Sequence, residues 1–406
     1  MKKRILFVYH SMIIGGSTTS LLSFMNGLDP EKYEIDLQLF RNKGPLLEVL
    51  PLHVNLLPAA EVYAGARGRI VKLFKFVFKG HLFRAVWKGL TGKSRKLYSR
   101  AAIADFQAKE LSRKNTKQYD YAIGYLEGWS DRYLAFGTNA AHKYAWLHST
   151  FANITSEPEA ELSWMNLVDK IVFVTEACRM AFADAVPQMA EKSITVENIT
   201  DSDIIRQRSR MIDAQDEAYT RFVSADAFKI ITVCRLTVSV KGLDRIVAAA
   251  AELKKSGKRF LWYIVGDGEG CDQLQSMIET ADVGDCVIPI GKRMNPYPFI
   301  AAADVMCMPS RYEGKPMAIT ESMILGVPPV VTEYLSAHDQ VKNGEEGIVV
   351  PNTDDAIIAP LAEMIEHAEV CDMLKKTLSM REYGNVAYLA QIETELFFEE
   401  TNASYD

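Results

Sequence analysis

Short apolar runs alternate with amphipathic ones along this 406-residue chain, and the alternation occurs in two successive series. In the first series strands are predicted at RILFVYH (4–10), YEIDLQLF (33–40), YDYAIGYL (119–126), HKYAWLHS (142–149) and DKIVFVT (169–175). A glycine loop feeding a helix, IGGSTTSLLSFMNGL (14–28), lies between the first two. The second series has FKIITVCRL (228–236), FLWYIVGDG (260–268), DCVIPIG (285–291) and ADVMCMPS (303–310), then GVPPVVTE and GIVVPN. Strands that are apolar on both faces need cover on both faces, and intervening helices supply it. The pattern therefore predicts parallel sheets in an α/β fold. A looser polar segment, roughly 198–226, separates the two series. The length favours two domains, and a hydrophobic fraction of 48% is enough to fill two cores.

One segment of the second series carries the densest chemistry. Residues 309–333 read PSRYEGKPMAITESMILGVPPVVTE, with Glu313 and Glu321 eight positions apart. Gly314 supplies a flexible turn, Pro316 suits a first helical position, and Gly326 and Pro328 end the helix before a new strand. A helix start presents free N–H groups and partial positive charge, which suits a diphosphate. Glu321, about a turn inside, is placed to accept hydrogen bonds from two ribose hydroxyls, and Glu313 in the preceding loop is placed to face a sugar ring. Six residues apart after the first strand of this half stand Arg235 and Lys241. They meet the need for fixed cations where a nucleoside diphosphate departs. In the first half, Gly15 and Gly16 let backbone amides approach a phosphate or sugar, with Ser17 and Thr18 as hydroxyl donors. His148 closes a strand at the same sheet edge.

The stretch resembles the E-x7-E signature of retaining GT-B glycosyltransferases of the family 4 type, and the resemblance extends over most of the chain. Its flavour is that of bacterial enzymes that build capsular and other surface polysaccharides. The resemblance implies two Rossmann-like domains whose parallel sheets face one another across a cleft, with the terminal helix GNVAYLAQIETELFFEE (384–400) crossing back. The expected division is an acceptor domain at 1–200, joined by 384–406, and a nucleotide-sugar donor domain at 201–383. The resemblance also implies site roles. Glu313, His148, Arg235 and Lys241 are expected at the reacting centre. The donor is expected to meet Gly16, Arg235, Lys241, Gly291, Lys292, Gly314, Lys315, Met317, Ala318 and Glu321. The base would lie beyond Gly291, held largely by backbone. One departure stands out: the family commonly has Glu-Gly-Phe-Gly where this chain has Glu313-Gly314-Lys315-Pro316, so one backbone N–H is lost at Pro316. The implied reaction is transfer of a hexose from a UDP-sugar to a hydroxyl with retention. The acceptor is expected to be a lipid-linked or soluble glycan.

Charge and cysteine usage bound the partners. The net charge is −6, yet residues 65–100 hold eleven Lys/Arg and no acid, interleaved with Val71, Phe74, Val77, Phe78, Leu82, Val86 and Leu90 at helical steps. A basic amphipathic helix of this kind suits an anionic membrane surface, each basic residue contributing on the order of 1 kcal/mol. The alternatives are a solvated core-facing helix or a site for an anionic acceptor. Nothing else in the acidic chain resembles a nucleic-acid module. Six cysteines without a C-x-x-C pair read as reduced thiols and give no zinc signature. Asp201-Ser202-Asp203 spells D-x-D, but cations and a helix dipole already serve the leaving group, so no metal is expected. The expected location is cytoplasmic, peripheral to the membrane through residues 65–100. Two rival classes share the architecture: a sugar phosphorylase, and a non-catalytic subunit that binds glycan or membrane.

Overall fold

The computed structural model describes residues 2–61, 100–110, 112–155 and 157–397. Nearly all of the basic stretch, and with it the membrane expectation, lies outside the described residues. The chain divides into two compact units, Met1–Asn198 with Ala387–Asp406, and Ile199–Val386.

The first unit is built on a seven-stranded sheet, order β3-β2-β1-β4-β5-β6-β7. Its strands are β1 Lys3–Tyr9, β2 Tyr33–Leu39, β3 Val54–Leu56, β4 Gln118–Gly124, β5 Asn139–Leu147, β6 Lys170–Phe173 and β7 Ser193–Thr195. Every pairing is parallel. The two outermost strands, β3 (VNL) and β7 (SIT), have three residues each and escape prediction, because polar residues break the apolar run, whereas the equally short Ile348–Val350 is apolar throughout. Ile5 to Val8 of β1 are fully buried, as a strand covered on both faces requires. Phe7, Phe24, Tyr125 and Trp146 make edge-on and tilted ring contacts beneath the helix Gly16–Gly27.

The C-terminal segment returns to this unit, as the resemblance implies. Helix Tyr388–Ile392 runs on into a wider turn, Glu393–Phe397. Leu389, Ile392, Leu396 and Phe397 are buried there. The Tyr144 hydroxyl donates to the Leu396 carbonyl at 2.6 Å, and the Tyr121 hydroxyl to the Phe397 carbonyl. Phe397 also packs on the Tyr121 ring at 4.7 Å and on Tyr33 at 5.8 Å.

The second unit carries a six-stranded parallel sheet, order β10-β9-β8-β11-β12-β13. These strands are β8 Phe228–Val233, β9 Phe260–Val265, β10 Val287–Gly291, β11 Val305–Met308, β12 Pro329–Thr332 and β13 Ile348–Val350. Pro289 is tolerated because β10 is an edge, and the register slips there between Pro289 and Gly291. Trp262 fills the core with its indole N–H satisfied by Thr232 at 3.0 Å. The outgoing and returning crossovers meet inside this unit: Thr200 and Asn385 exchange hydrogen bonds, and Arg206 pairs with Glu382 at 3.1 Å.

In each sheet the strand order reverses once, between β1 and β4 and between β8 and β11. Loops leaving the C-terminal ends of such a pair diverge to opposite sides and open a crevice, where ligands of doubly wound sheets bind.

Candidate functional site

In the second unit the loops leaving β8 and β11 bring together residues 72 positions apart in sequence. After β8 the chain makes a single helical turn, Val238–Lys241, which Gly242 ends in the left-handed region at φ +65°. A Cβ on Gly242 would stand 2.1 Å from the Pro309 carbonyl oxygen, so glycine is required both by conformation and by space. The Arg311 N–H donates to the Val240 carbonyl at 2.8 Å, binding the β11 loop to that turn. As a result the Lys241 ammonium lies 2.6 and 2.8 Å from the two Glu313 oxygens. Ser310 donates a further hydrogen bond to Glu313 at 2.7 Å.

The loop is braced from behind. Arg311 holds both oxygens of Asp244, at 2.8 and 2.6 Å, and Asp354 at 2.9 Å. Arg245 is buried and donates to the Pro309 carbonyl at 3.1 Å and to Asn352 at 2.7 Å. Thr332 donates to the Ser310 carbonyl at 2.5 Å, Ser336 to that of Gly314, and Gln340 to that of Pro316 at 2.9 Å. Pro316 proves to be the cap residue, and the helix runs Met317–Ile324 with no side-chain cap on its start. By contrast, Asp201 and Asp216 cap the helices Ser202–Ser209 and Glu217–Ser224 through their carboxylates. The D-x-D triplet therefore begins a helix, with Asp203 beside Arg206 at 3.8 Å.

Glu321 is buried in the second turn of the Met317–Ile324 helix, and the Tyr297 hydroxyl donates to its Oε1 at 3.0 Å. Burial pushes its pKa up to about 7, against the opposing pulls of the Tyr297 hydrogen bond and of Arg208. Arg235 is exposed and makes no side-chain hydrogen bond or ion pair with any described residue. Burial pushes the thiol of its neighbour Cys234 up to about 12. Gly291 ends β10 at φ +72°, and both it and Lys292 are exposed. Arg293 turns back to Asp216 at 3.1 Å. Lys315 is partly buried beside Gly314.

In the first unit, helix Gly16–Gly27 also starts without a side-chain cap. The Thr18 and Thr19 amides return to the Gly15 carbonyl at 3.1 and 3.0 Å. The expected ligand roles of Ser17 and Thr18 meet a competing contact. The Tyr9 hydroxyl lies 2.7 Å from the Ser17 hydroxyl and 3.0 Å from that of Thr18, and Thr18 is buried. His148 follows β5 immediately. Burial lowers its pKa, while Glu127 and the Tyr125 backbone act in the opposite sense, and its buried Nε2 has no hydrogen-bond partner among the described residues. Sequence reading missed Glu127. Its carboxylate accepts from the His148 amide at 2.9 Å and from the Ser149 hydroxyl at 2.6 Å, joining the ends of β4 and β5. The available signal was an acid directly beyond an apolar strand, at the same edge as the glycine loop.

Residues 220–381 match the family model described as glycosyl transferases group 1. With two parallel Rossmann-like sheets, the fold is GT-B, and the family match lies within its second unit. Among curated relatives, the amylovoran biosynthesis glycosyltransferase AmsK of Erwinia amylovora is 29% identical over 41% of this chain and 40% of its own length. The putative colanic acid biosynthesis glycosyltransferase WcaL of Salmonella typhimurium is 34% identical over 34% of this chain and 37% of its own. The match thus spans less than half the length of these relatives. Among solved structures, Anabaena Alr3699/HepE in complex with UDP-glucose superposes with a TM-score of 0.66 at 17% identity, covering 97% of this chain and 99% of that one. A point mutant of S. aureus TarM, in complex with fondaparinux, alpha-GlcNAc-glycerol and UDP, gives a TM-score of 0.64 at 14% identity over 98% of this chain and 100% of that one. No helix among the described residues is long and apolar enough to cross a membrane.

Proposed function

We propose that this chain transfers a hexose from a UDP-sugar to an acceptor hydroxyl with retention, without a metal, in the synthesis of a cell-surface polysaccharide or glycolipid. The observation that carries this reading is the Lys241–Glu313 pair at the β8/β11 reversal, accompanied by the exposed cation of Arg235 and by an uncapped helix start. Glu321 accepts the ribose hydroxyls, and the loop after Gly291 and Lys292 receives the base. Arg235, Lys241 and the Met317 and Ala318 amides meet the diphosphate. Lys241 and the helix amides lie in fixed positions before charge develops on the leaving group, so little reorganisation of these donors is needed as the glycosidic bond breaks. Lys241 would serve two anions at once, and its contact with both Glu313 oxygens holds that carboxylate in place to accept a sugar hydroxyl near the anomeric carbon. The acceptor proton passes to the departing phosphate oxygen on the same face. Gly16 and His148 belong to the sugar and acceptor side.

The likeness to a fold seen with UDP-glucose supports the donor class, and relatives named for polysaccharide synthesis support the product class. The test is thermal unfolding with UDP, GDP and ADP, with and without EDTA, on wild type and Glu321→Ala. A ligand at ~100 times its dissociation constant should add roughly 2.7 kcal/mol. The expected result is a UDP-selective, EDTA-insensitive shift that Glu321→Ala abolishes. No shift with any nucleotide would overturn the reading, and phosphate-dependent cleavage of a glycoside would replace it with a phosphorylase.

A further inference from the structure

Glu321 has two oxygens in different situations. Oε1 accepts the Tyr297 hydroxyl at 3.0 Å, whereas Oε2 makes no hydrogen bond with any described residue. Tyr297 is itself 3% exposed and is held on its other side. The Arg208 guanidinium lies over its ring, 4.9 Å from the centroid, and donates to the Met294 carbonyl at 2.9 Å. Asn295 closes the bracket by donating to the Arg208 carbonyl at 2.8 Å. These contacts tie the segment leading into helix Tyr297–Ala301 to the end of helix Ser202–Ser209.

We propose that Tyr297, braced by Arg208, is a positioning residue for Glu321: it occupies Oε1 and so aims Oε2 at the paired hydroxyls of a ribose. The inference rests on the nucleotide-sugar reading and adds to it a device for discriminating ribose. A carboxylate that must accept two adjacent hydroxyls needs one orientation of its plane, and a single fixed donor on the far oxygen provides it. The same phenol favours the ionised carboxylate, which is the form that accepts hydrogen bonds. Arg208 acts in the same direction. The strands beneath the Glu321 helix, VMCM and PVVT, carry no charge. On the Ser202–Ser209 helix, Arg206 is engaged by Asp203 and Glu382.

The experiment is calorimetric titration of UDP and of 2′-deoxy-UDP into the full chain between about pH 6 and pH 9, for wild type, Tyr297→Phe and Glu321→Ala. Wild type should bind UDP more tightly as pH rises through about 7, where Glu321 ionises, and should prefer it over the deoxy form. Tyr297→Phe keeps the ring and loses one hydrogen bond to a charged group. Its midpoint should move up by roughly one pH unit, making UDP about fivefold weaker at about pH 7 and nearly tenfold weaker at about pH 6, with recovery at the alkaline end. Its preference for UDP over 2′-deoxy-UDP should shrink at every pH. An unchanged pH profile and unchanged discrimination in Tyr297→Phe would overturn the positioning role while leaving the site intact. Absence of UDP binding by wild type would overturn the nucleotide reading, and the inference with it. If Tyr297→Phe fails to fold, Arg208→Gln should give the same upward shift, and no shift there would overturn the proposal equally.

Discussion

Glu321 illustrates what a single buried group costs and what it prepares. Its folded pKa of about 7 lies above that of an unfolded glutamate, so the folded state holds the extra proton between roughly pH 4.5 and 7. The stability tied to that proton is complete below the unfolded value and is lost as pH rises through about 7. Glu321→Gln should therefore raise the melting temperature of the unliganded protein near pH 8, by up to about 3 kcal/mol of stability, and change it little near pH 5. Thermal scans at the two pH values check this. Lys241 presents the opposite case, a cation whose partner is a mostly buried carboxylate. Lys241→Met leaves Glu313 with Ser310 as its hydrogen-bond partner among the described residues and removes a charge from the proposed leaving-group site. Turnover, read as UDP release, should fall by roughly 10²-fold or more.

At the scale of elements, the site is made by two loops, and the contacts that join them are mostly backbone. The left-handed Gly242 turn touches the Pro309 carbonyl, and the Arg311 amide closes on Val240. Gly242→Ala must add a Cβ at positive φ and displace Pro309. It should destabilise the chain by about 2 kcal/mol or more in urea unfolding. It should also reduce turnover through Lys241 even though no proposed ligand contact is deleted. The bracing arginines were not picked out from sequence, because an arginine that serves a loop and one that serves a ligand look alike there. Arg235 and Arg311 both follow strand ends, yet one is free among the described residues and the other grips two aspartates.

For the whole molecule, the returning C-terminal segment is structural to the first unit. It provides the carbonyls that satisfy the buried hydroxyls of Tyr121 and Tyr144, and four large apolar side chains. Phe397→Ala should cost about 3 kcal/mol and lower the melting temperature. Removal of residues 387–406 should do more, since it also strands two buried phenols. Expression yield and thermal scans of the two variants check the order.

Sequence alone determined the α/β class, two series of parallel strands, and the loop-helix segment with Glu313 and Glu321. These depend on local signals: apolar runs, glycine and proline punctuation, and acids at a fixed spacing. The edge strands β3 and β7, short and interrupted by polar residues, left no such signal. Only the tertiary structure paired Lys241 with Glu313, gave Glu321 its Tyr297 donor and its raised pKa, and turned Thr18 inward to Tyr9. It also tied Glu127 to His148. Each of those facts joins residues from different loops or strands, and their distances follow from strand order and backbone contacts that no local pattern encodes.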